Sequence, residues 1–329
     1  MQAEALLRRL ADGQAHSGED LARDFGVTRA AIWKHIGKLK DWGLELHAVP
    51  GRGYCLTRPV DLIDESVLRA QLSGTSAAPV QDLEVFVELE STNRHLLGRP
   101  APTPGRMSLC IAEYQTAGRG RRGRGWTAPL GAGLCLSVAW QFPETPPQLS
   151  ALSLAIGVVA RRVLDQTAGV QIALKWPNDL IWHTRKLGGV LVELIAEAQA
   201  GCHVVVGLGI NVSMSPQLLA RVSDWPSGAT DLYQATNGAT PSRTTLTAAL
   251  VRALGEMFLS YQRDGFGPFH SEWCDADYLE GKLISLDEVS GSMRGTASGI
   301  EPDGALLLEA ADGSRRRIIS GDISVRPAT

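Results

Sequence analysis

Six apolar segments between residues 85 and 210 have the length and composition of buried β-strands, and they constrain the fold most. They span residues 85–89, 109–114, 134–142, 171–176, 187–195 and 204–210. Helices are predicted over 151–166 and 245–263, where apolar residues recur at helical spacing. Because several strands follow one another without an intervening helix, an α+β fold with a mixed sheet is favoured over a doubly wound parallel sheet.

The first sixty residues predict a compact helical unit. Ser17, with Asp20 three residues later, is typical of a capping box that starts a helix over 18–25. Thr28 is placed to cap the next helix, which ends at Gly43. Two helices joined by so short a turn form a helix-turn-helix.

A β-hairpin with strands at 44–49 and 54–56 is predicted to follow and to form a wing. Basic side chains gather on the second helix and the wing, whereas acidic side chains lie on the preceding helix. The basic residues are Arg29, Lys34, His35, Lys38 and Arg52. A solvated face or a protein-docking module would also account for them, but their distribution favours contact with DNA phosphates and a major groove.

Four short strands at the C-terminal end predict a small β-barrel. They lie at 282–286, 294–298, 305–309 and 315–319, and two Asp-Gly pairs between them are typical of hairpin turns. Three domains are therefore expected, at residues 1–60, 61–272 and 273–329.

Bulk properties indicate a cytoplasmic protein. The net charge of -3 means that nucleic-acid contacts must come from a local basic surface. The five cysteines are scattered and form no CxxC pair, which argues against a disulfide framework or a zinc site. The N-terminal residues lack the features of a signal peptide, and no apolar run of about 18 residues predicts a membrane span.

Arginine alternates with glycine over residues 118–125, between a predicted strand and Trp126. Glycine lets the backbone pass close to a ligand, and arginine offers planar, charged donors suited to phosphate. A disordered RNA-binding tail or an inert solvated loop would also be rich in these residues. The position inside a folded domain favours a loop that binds a phosphate-bearing ligand and is mobile without it.

Two further segments carry candidate polar groups. Lys175-Trp176-Pro177-Asn178-Asp179-Leu180 predicts a turn between strands, in which Asp179 is either a turn residue or a ligand of Mg²⁺. Lys186 begins the strand that contains Gly188-Gly189, and it is either an exposed edge residue or a ligand-binding cation. A third glycine-lined strand end, at 207–211, is equally compatible with a bulge or close packing.

In combination these segments resemble the ordered motif set of bacterial biotin protein ligases. The resemblance includes Ser91-Thr92-Asn93 and residues 118–126, 175–180, 186–193 and 207–212. The N-terminal unit and the C-terminal β module resemble the flanking domains of the class that also represses biotin genes. The resemblance therefore implies a winged helix-turn-helix, a class II synthetase-like catalytic domain and an SH3-like barrel.

The resemblance assigns a role to each matching residue. Lys186 and Arg121 would be catalytic, and Lys186 would bridge the biotin carboxylate and the α-phosphate of ATP. The residues expected to bind biotin are Ser91, Thr92, Asn93, Gln115, Arg119, Gly120, Arg121, Lys186, Gly189, Gly207 and Gly209. Those expected to bind ATP or the adenylate are Arg119, Arg121, Arg122, Arg124, Trp126, Lys175, Asn178, Asn211 and Trp225. Gly125 departs from the family, which often has lysine there.

The resemblance also implies a reaction and its partners. ATP and Mg²⁺ would activate biotin as biotinyl-5'-AMP, and biotin would pass to a lysine of the biotin carboxyl carrier protein of acetyl-CoA carboxylase. A homodimer with adenylate bound would repress biotin synthesis genes at operator DNA. A lipoate- or octanoate-attaching enzyme, and a transcription factor that only senses a small molecule, are the alternatives.

Overall fold

A computed structural model describes residues 3–74, 77–196, 201–220, 227–288, 291–319 and 324–327. The helices are α1 (Ala3–Leu10), α2 (Gly18–Asp24), α3 (Arg29–Asp41), α4 (Glu65–Leu72), α5 (Thr92–Leu97), α6 (Leu152–Ala168), α7 (Pro216–Leu219), α8 (Leu232–Ala235), α9 (Arg243–Asp264) and α10 (Gly267–Asp275).

The strands form three sheets. They are β1 (Leu46–Val49), β2 (Gly53–Leu56), β3 (Val80–Leu89), β4 (Met107–Gln115), β5 (Gly133–Phe142), β6 (Ala173–Lys175), β7 (Asp179–Trp182), β8 (Arg185–Ala196), β9 (Cys202–Asn211), β10 (Leu283–Glu288), β11 (Gly291–Ile300), β12 (Leu306–Glu309), β13 (Arg315–Ile318) and β14 (Ser324–Pro327).

The predicted helix-turn-helix with its hairpin is confirmed. Ser17 Oγ accepts from the backbone N–H groups of Glu19 and Asp20, and Thr28 Oγ1 accepts from that of Ala31, so both helices are capped as expected. The reciprocal half of the capping box is not formed, because the Asp20 carboxylate binds Arg23 instead. Strands β1 and β2 follow α3 in the chain and pair antiparallel as the hairpin.

The central domain is built on a seven-stranded mixed sheet, in the order β3-β4-β5-β9-β8-β7-β6. Strands β3 and β4 are parallel, and the other neighbouring pairs are antiparallel. The predicted mixed sheet is thus confirmed. Helices α6 and α9 cover one face, where Trp140 of β5 stacks on Phe258 of α9. Helix α5 packs through Leu96 on the opposite face, beside Ala139 and Val205.

Beyond α5, that opposite face can accommodate a ligand. The register of the strands determines which residues lie on it. Cross-strand partners lie on the same face of a sheet. Ser137 pairs with Gly207 and Cys135 with Gly209, while on the other side of β9 Gly189 pairs with Gly209. Alternate residues of these strands, such as Leu134 and Val206, belong to the large core under α6 and α9.

The C-terminal strands form one antiparallel sheet, in the order β13-β12-β11-β10-β14. It is joined to the central domain by Trp176, whose Nε1–H donates to the carbonyl of Gly304 at 3.0 Å. The expected domain boundary between 272 and 273 falls inside helix α10, which spans Gly267–Asp275. No helix in the described part of the chain is long and apolar enough to cross a membrane.

Candidate active site

One pocket lies on the free face of the central sheet, between α5 and the arginine-glycine loop. It encloses about 940 Å³ including its open mouth. Most of the predicted site residues line it together: Ser91, Thr92, Asn93, Gln115, Arg119, Gly120, Arg121, Arg122, Arg124, Trp126, Lys175, Asn178, Asp179, Lys186, Gly189, Gly207 and Gly209.

Buried polar side chains at the start of α5 form one end of the pocket. Thr92 donates to Gln115 Oε1 from its backbone N–H at 2.8 Å and from its hydroxyl at 3.1 Å. Asn93 Nδ2 donates to Glu193 Oε2 at 2.9 Å, and Asn93 Oδ1 lies 2.5 Å from the Ser137 hydroxyl. Side chains held in such a network are oriented before a ligand arrives, because each already has a partner that fixes its rotamer.

Two glycines of β9 are required by close approach. A Cβ at Gly207 would lie 2.3 Å from Asn93 Oδ1, and a Cβ at Gly209 would lie 2.6 Å from the indole of Trp126. Both distances are far below van der Waals contact, so any side chain there would displace Asn93 or Trp126. The glycines of this strand end are thus explained by close packing of Asn93 and Trp126, and all four residues line the pocket.

Two lysines and one aspartate form the other end of the pocket. Lys186 Nζ lies 2.6 Å from Asp179 Oδ1, and Lys175 Nζ lies 3.2 Å from Asp179 Oδ2. Burial raises the pKa of Asp179, but attraction from Lys186 and Lys175 outweighs it and sets the pKa at about 2. Burial lowers the pKa of Lys175. With both lysines protonated, this cluster carries one net positive charge toward the pocket.

The predicted Mg²⁺ site at Asp179 does not fit this arrangement. Each carboxylate oxygen of Asp179 already accepts from an ammonium group, and a divalent cation there would face two fixed positive charges. Within the described residues, no three His, Cys, Asp or Glu side chains are grouped so as to hold a metal ion. Asp179 instead positions Lys175 and Lys186.

The arginine-glycine loop is folded back on itself at the pocket mouth. Gly120 N donates to Arg124 O and Trp126 N to Gly118 O, both at 2.8 Å. Arg119 Nη1 lies 3.4 Å from Glu193, the same carboxylate that holds Asn93. A Cβ at Gly125 would meet no heavy atom closer than 4.0 Å, so this position has room for a side chain.

Comparisons with known proteins match all three domains. The profile of the biotin/lipoate A/B protein ligase family matches residues 85–211, an HTH domain profile matches 2–55, and the biotin protein ligase C-terminal domain profile matches 286–326. The bifunctional ligase/repressor BirA of Escherichia coli strain K12 is 39% identical over 323 residues, which cover 98% of this chain and 97% of the relative. The chain belongs to the BirA-type biotin protein ligase family.

Other members support the same assignment. The bifunctional ligase/repressor BirA of Bacillus subtilis strain 168 is 32% identical over 320 residues, covering 94% of this chain and 93% of the relative. A structure of the biotin protein ligase from Aquifex aeolicus in complex with biotin and ATP is similar, with a TM-score of 0.64 and 26% identity. It covers 75% of this chain and 100% of that one.

One predicted adenylate contact of this BirA-type chain, Asn211, does not line the pocket. Asn211 is 1% exposed and does not line it, because its Nδ2 donates to the carbonyl of Thr230 at 2.9 Å. Thr230 N in turn donates to Lys186 O at 2.9 Å. Through Thr230, Asn211 therefore helps to hold the backbone at residue 230 beside Lys186. A direct contact between Asn211 and the adenylate stays a prediction. Trp225 lies outside the described residues.

The predicted DNA-binding residues divide into two groups. Arg29 and Lys34 on α3 and Arg52 on the hairpin are exposed, whereas His35 is half-buried. Lys38 Nζ lies 2.9 Å from Glu88 of β3, which also accepts from Trp42 Nε1 at 2.6 Å. Lys38 thus links the N-terminal and central domains while its side chain stays 44% exposed. Its contact with DNA stays a prediction.

Sequence reasoning missed Ser137 and Glu193, whose side chains hold Asn93. They stand in the mainly apolar strands β5 and β8 and belong to no recognisable motif. It also missed Cys135, which lines the pocket and whose thiol has its pKa raised by burial to about 11. Alternation along β5 could have identified Cys135 and Ser137 as sharing the face opposite Leu134 and Leu136.

Proposed function

We propose that this chain is an ATP-dependent biotin protein ligase. It would form biotinyl-5'-AMP from biotin and ATP and then transfer biotin to a specific lysine of the biotin carboxyl carrier protein of acetyl-CoA carboxylase. The observation that carries the proposal is one pocket in which neutral polar side chains line one end and two lysines line the other. Biotin has a neutral ureido ring at one end and a carboxylate at the other.

The spacing of the two pocket ends suits this orientation. Asn93 lies against Gly207, whereas Lys186 and Asp179 lie beside Gly189, the register partner of Gly209. Two residues along a strand separate these positions, roughly 7 Å. The ureido ring would bind at Ser91, Thr92, Asn93 and Gln115, and the carboxylate would point toward Lys186.

Activation of biotin requires two anions to meet, since its carboxylate attacks the α-phosphate of ATP and pyrophosphate leaves. Lys186 would neutralise charge on both groups, which is worth most in a water-poor site. Lys175 and Asn178 would flank the nucleotide. ATP would bring Mg²⁺ on its own phosphates, as part of the substrate.

The loop arginines would close over the nucleotide. Arg119, Arg121, Arg122 and Arg124 all line the pocket mouth, and Trp126 packs on Gly209. A closed loop would exclude water, so that the adenylate survives until the carrier lysine attacks its carbonyl and AMP leaves. The amine attacks directly. The Cys135 thiol, whose pKa burial raises to about 11, stays protonated and is not a nucleophile.

Incubating the protein with biotin, ATP and a carrier domain tests this activity. We expect the carrier to gain one biotinyl group by mass spectrometry, on one lysine, with release of pyrophosphate. Lipoate and octanoate in place of biotin are the controls. Labelling by lipoate instead would identify the lipoate-attaching alternative, and biotin binding without pyrophosphate would identify a sensor without catalysis.

The same chain would repress biotin synthesis genes, with biotinyl-5'-AMP as corepressor. Arg29, Lys34 and Arg52 would contact operator DNA, but one winged helix makes few phosphate contacts and binds weakly. A homodimer on an inverted repeat would place two winged helices on the DNA. We place the protein in the cytoplasm, and we assign the central sheet to the class II synthetase type and the C-terminal sheet to the SH3-like barrels.

The edge of β8 supports the proposed dimer. Strand β7 pairs with β8 only between Arg185 and Gly189, and no other described strand lies on that side of β8 farther along. Leu194 and Ile195 are 52% and 37% exposed there. An unpaired apolar edge is suited to pairing with a second copy. The segment 197–200, predicted to extend this edge, lies outside the described residues.

Sedimentation velocity tests the coupling. We expect a monomer without ligand and a dimer with biotin plus ATP, because an ordered adenylate loop lowers the cost of pairing. Leu194→Asp should prevent the dimer and weaken operator binding while adenylate formation continues. A monomer under both conditions that binds one half-site tightly would contradict the coupling and leave the ligase assignment intact.

A further inference from the structure

Trp33 is the most exposed large apolar side chain among the described residues, at 71%. It lies on α3, outside the buried face of Ile32, Ile36 and Leu39, which belong to the core of the N-terminal domain. Tryptophan is normally retained where it can bury area. Because the fold leaves this indole exposed, we expect it to contact a binding partner.

Gly37 lies one turn after Trp33 on the same face of α3. Glycine destabilises the interior of a helix relative to alanine. A Cβ at Gly37 would have no heavy atom within 4 Å, so packing inside the protein does not require glycine there. Ala30, three residues before Trp33, is also small and exposed. The face is therefore flat on both sides of one protruding indole.

The charges around this face identify the partner. Arg29 and Lys34 are exposed beside it on α3, and Arg52 is exposed on the hairpin. The HTH domain profile covers the whole unit, residues 2–55. A flat helix face flanked by cations fits a DNA major groove, which is wide enough for a helix.

We propose that Trp33 determines operator specificity by packing its indole against thymine 5-methyl groups in the major groove, and that Gly37 lets α3 approach the base edges closely. This inference rests on the proposed DNA binding and specifies the contact that would distinguish one base sequence from another. Phosphate contacts by Arg29 and Lys34 would position the helix without distinguishing sequences, whereas an apolar contact with the thymine methyl does distinguish them.

The test is selection from a random pool of DNA duplexes by the full-length protein with biotin and ATP. We expect wild type to enrich an inverted repeat with T·A pairs at fixed positions in each half. Trp33→Ala should lose preference at one or two of those pairs. Lys34→Ala should weaken binding to all sequences about equally and keep the preferences. Tyr233→Ala is the matched control, since Tyr233 is an exposed aromatic outside this unit, at 53%.

Uracil in place of the preferred thymines removes only the methyl groups. Wild type should bind each such duplex about fourfold more weakly, the ratio that corresponds to about 0.8 kcal/mol for one methyl group. Trp33→Ala should bind both duplexes equally, and Gly37→Ala should weaken specific binding although alanine favours the helix.

The controls separate the possible failures. Trp33→Ala and Gly37→Ala should keep wild-type biotin ligation, which shows that they fold, and Trp33→Phe should retain part of the thymine preference. A Trp33→Ala protein with unchanged preferences and unchanged sensitivity to uracil would overturn this inference and leave DNA binding standing. No enriched duplex for wild type would overturn both.

Discussion

Replacing Lys186 with alanine is expected to slow biotinyl-adenylate formation by about a hundredfold or more while the fold is retained. The substitution removes one of the two cations at Asp179, so the charge that this end of the pocket presents falls from one net positive to neutral. One unit charge at ~4 Å contributes on the order of 4 kcal/mol at an effective dielectric constant of ~20. That energy exceeds what a hundredfold in rate requires.

Pyrophosphate release in a single turnover measures the effect, and thermal unfolding checks the fold. Lys186 is the more informative of the two lysines because its side chain is 25% exposed, against 7% for Lys175. Its removal therefore leaves a smaller internal gap. Near-normal pyrophosphate release by Lys186→Ala would show that the charge is supplied elsewhere.

Arg121→Gly is the matched control for this experiment. Arg121 lies in the loop at the pocket mouth, so its loss should impair retention of the adenylate more than its formation. We expect this variant to release pyrophosphate and leak adenylate that labels bystander lysines, whereas Lys186→Ala should do neither. Equal loss of pyrophosphate release in both variants would show that the loop also takes part in the first step.

Features determined by neighbouring residues could be predicted from the sequence. The helix caps at Ser17 and Thr28 depend on amides two or three residues away, and the mixed sheet followed from apolar strands without intervening helices. The pocket residues were identified because the family's motifs are contiguous. Each motif brings its loop to the same face of the sheet once the strands pair.

Features determined by distant residues could not be predicted. Asn93 is separated by 44 residues from Ser137 and by 100 from Glu193, so no local pattern indicates their contacts. Nor does any local pattern indicate that Lys38 of α3 pairs with Glu88 of the central domain. From the sequence, Asp179 is either a turn residue or a ligand of Mg²⁺. In the structure it forms ion pairs with Lys175 and Lys186, which come from separate strands.

A buried ion pair at the entry to the central domain also depends on residues far apart in the sequence. Arg243 Nη1 lies 2.5 Å from Glu113 Oε2, and both side chains are 1% exposed. Arg243 also donates to the carbonyls of Asp61 and Gly133 at 2.6 and 2.7 Å, and Glu113 Oε1 accepts from Ile63 N at 2.6 Å. The pair thus joins the segment from the N-terminal domain to β4, β5 and α9.

Arg243→Leu is expected to lower the free energy of unfolding of the central domain by about 3–5 kcal/mol, because it leaves the Glu113 carboxylate buried without a counter-charge. Urea unfolding followed by tryptophan fluorescence measures the loss. Adding Glu113→Leu should recover much of it, since two apolar side chains in place of a buried pair are often tolerated. The exposed pair Arg263–Asp264 is the control, and Arg263→Leu should change stability little. If the double variant is no more stable than Arg243→Leu alone, the loss comes from the broken hydrogen bonds of Arg243 to Asp61 and Gly133 and of Ile63 to Glu113, rather than from the uncompensated charge.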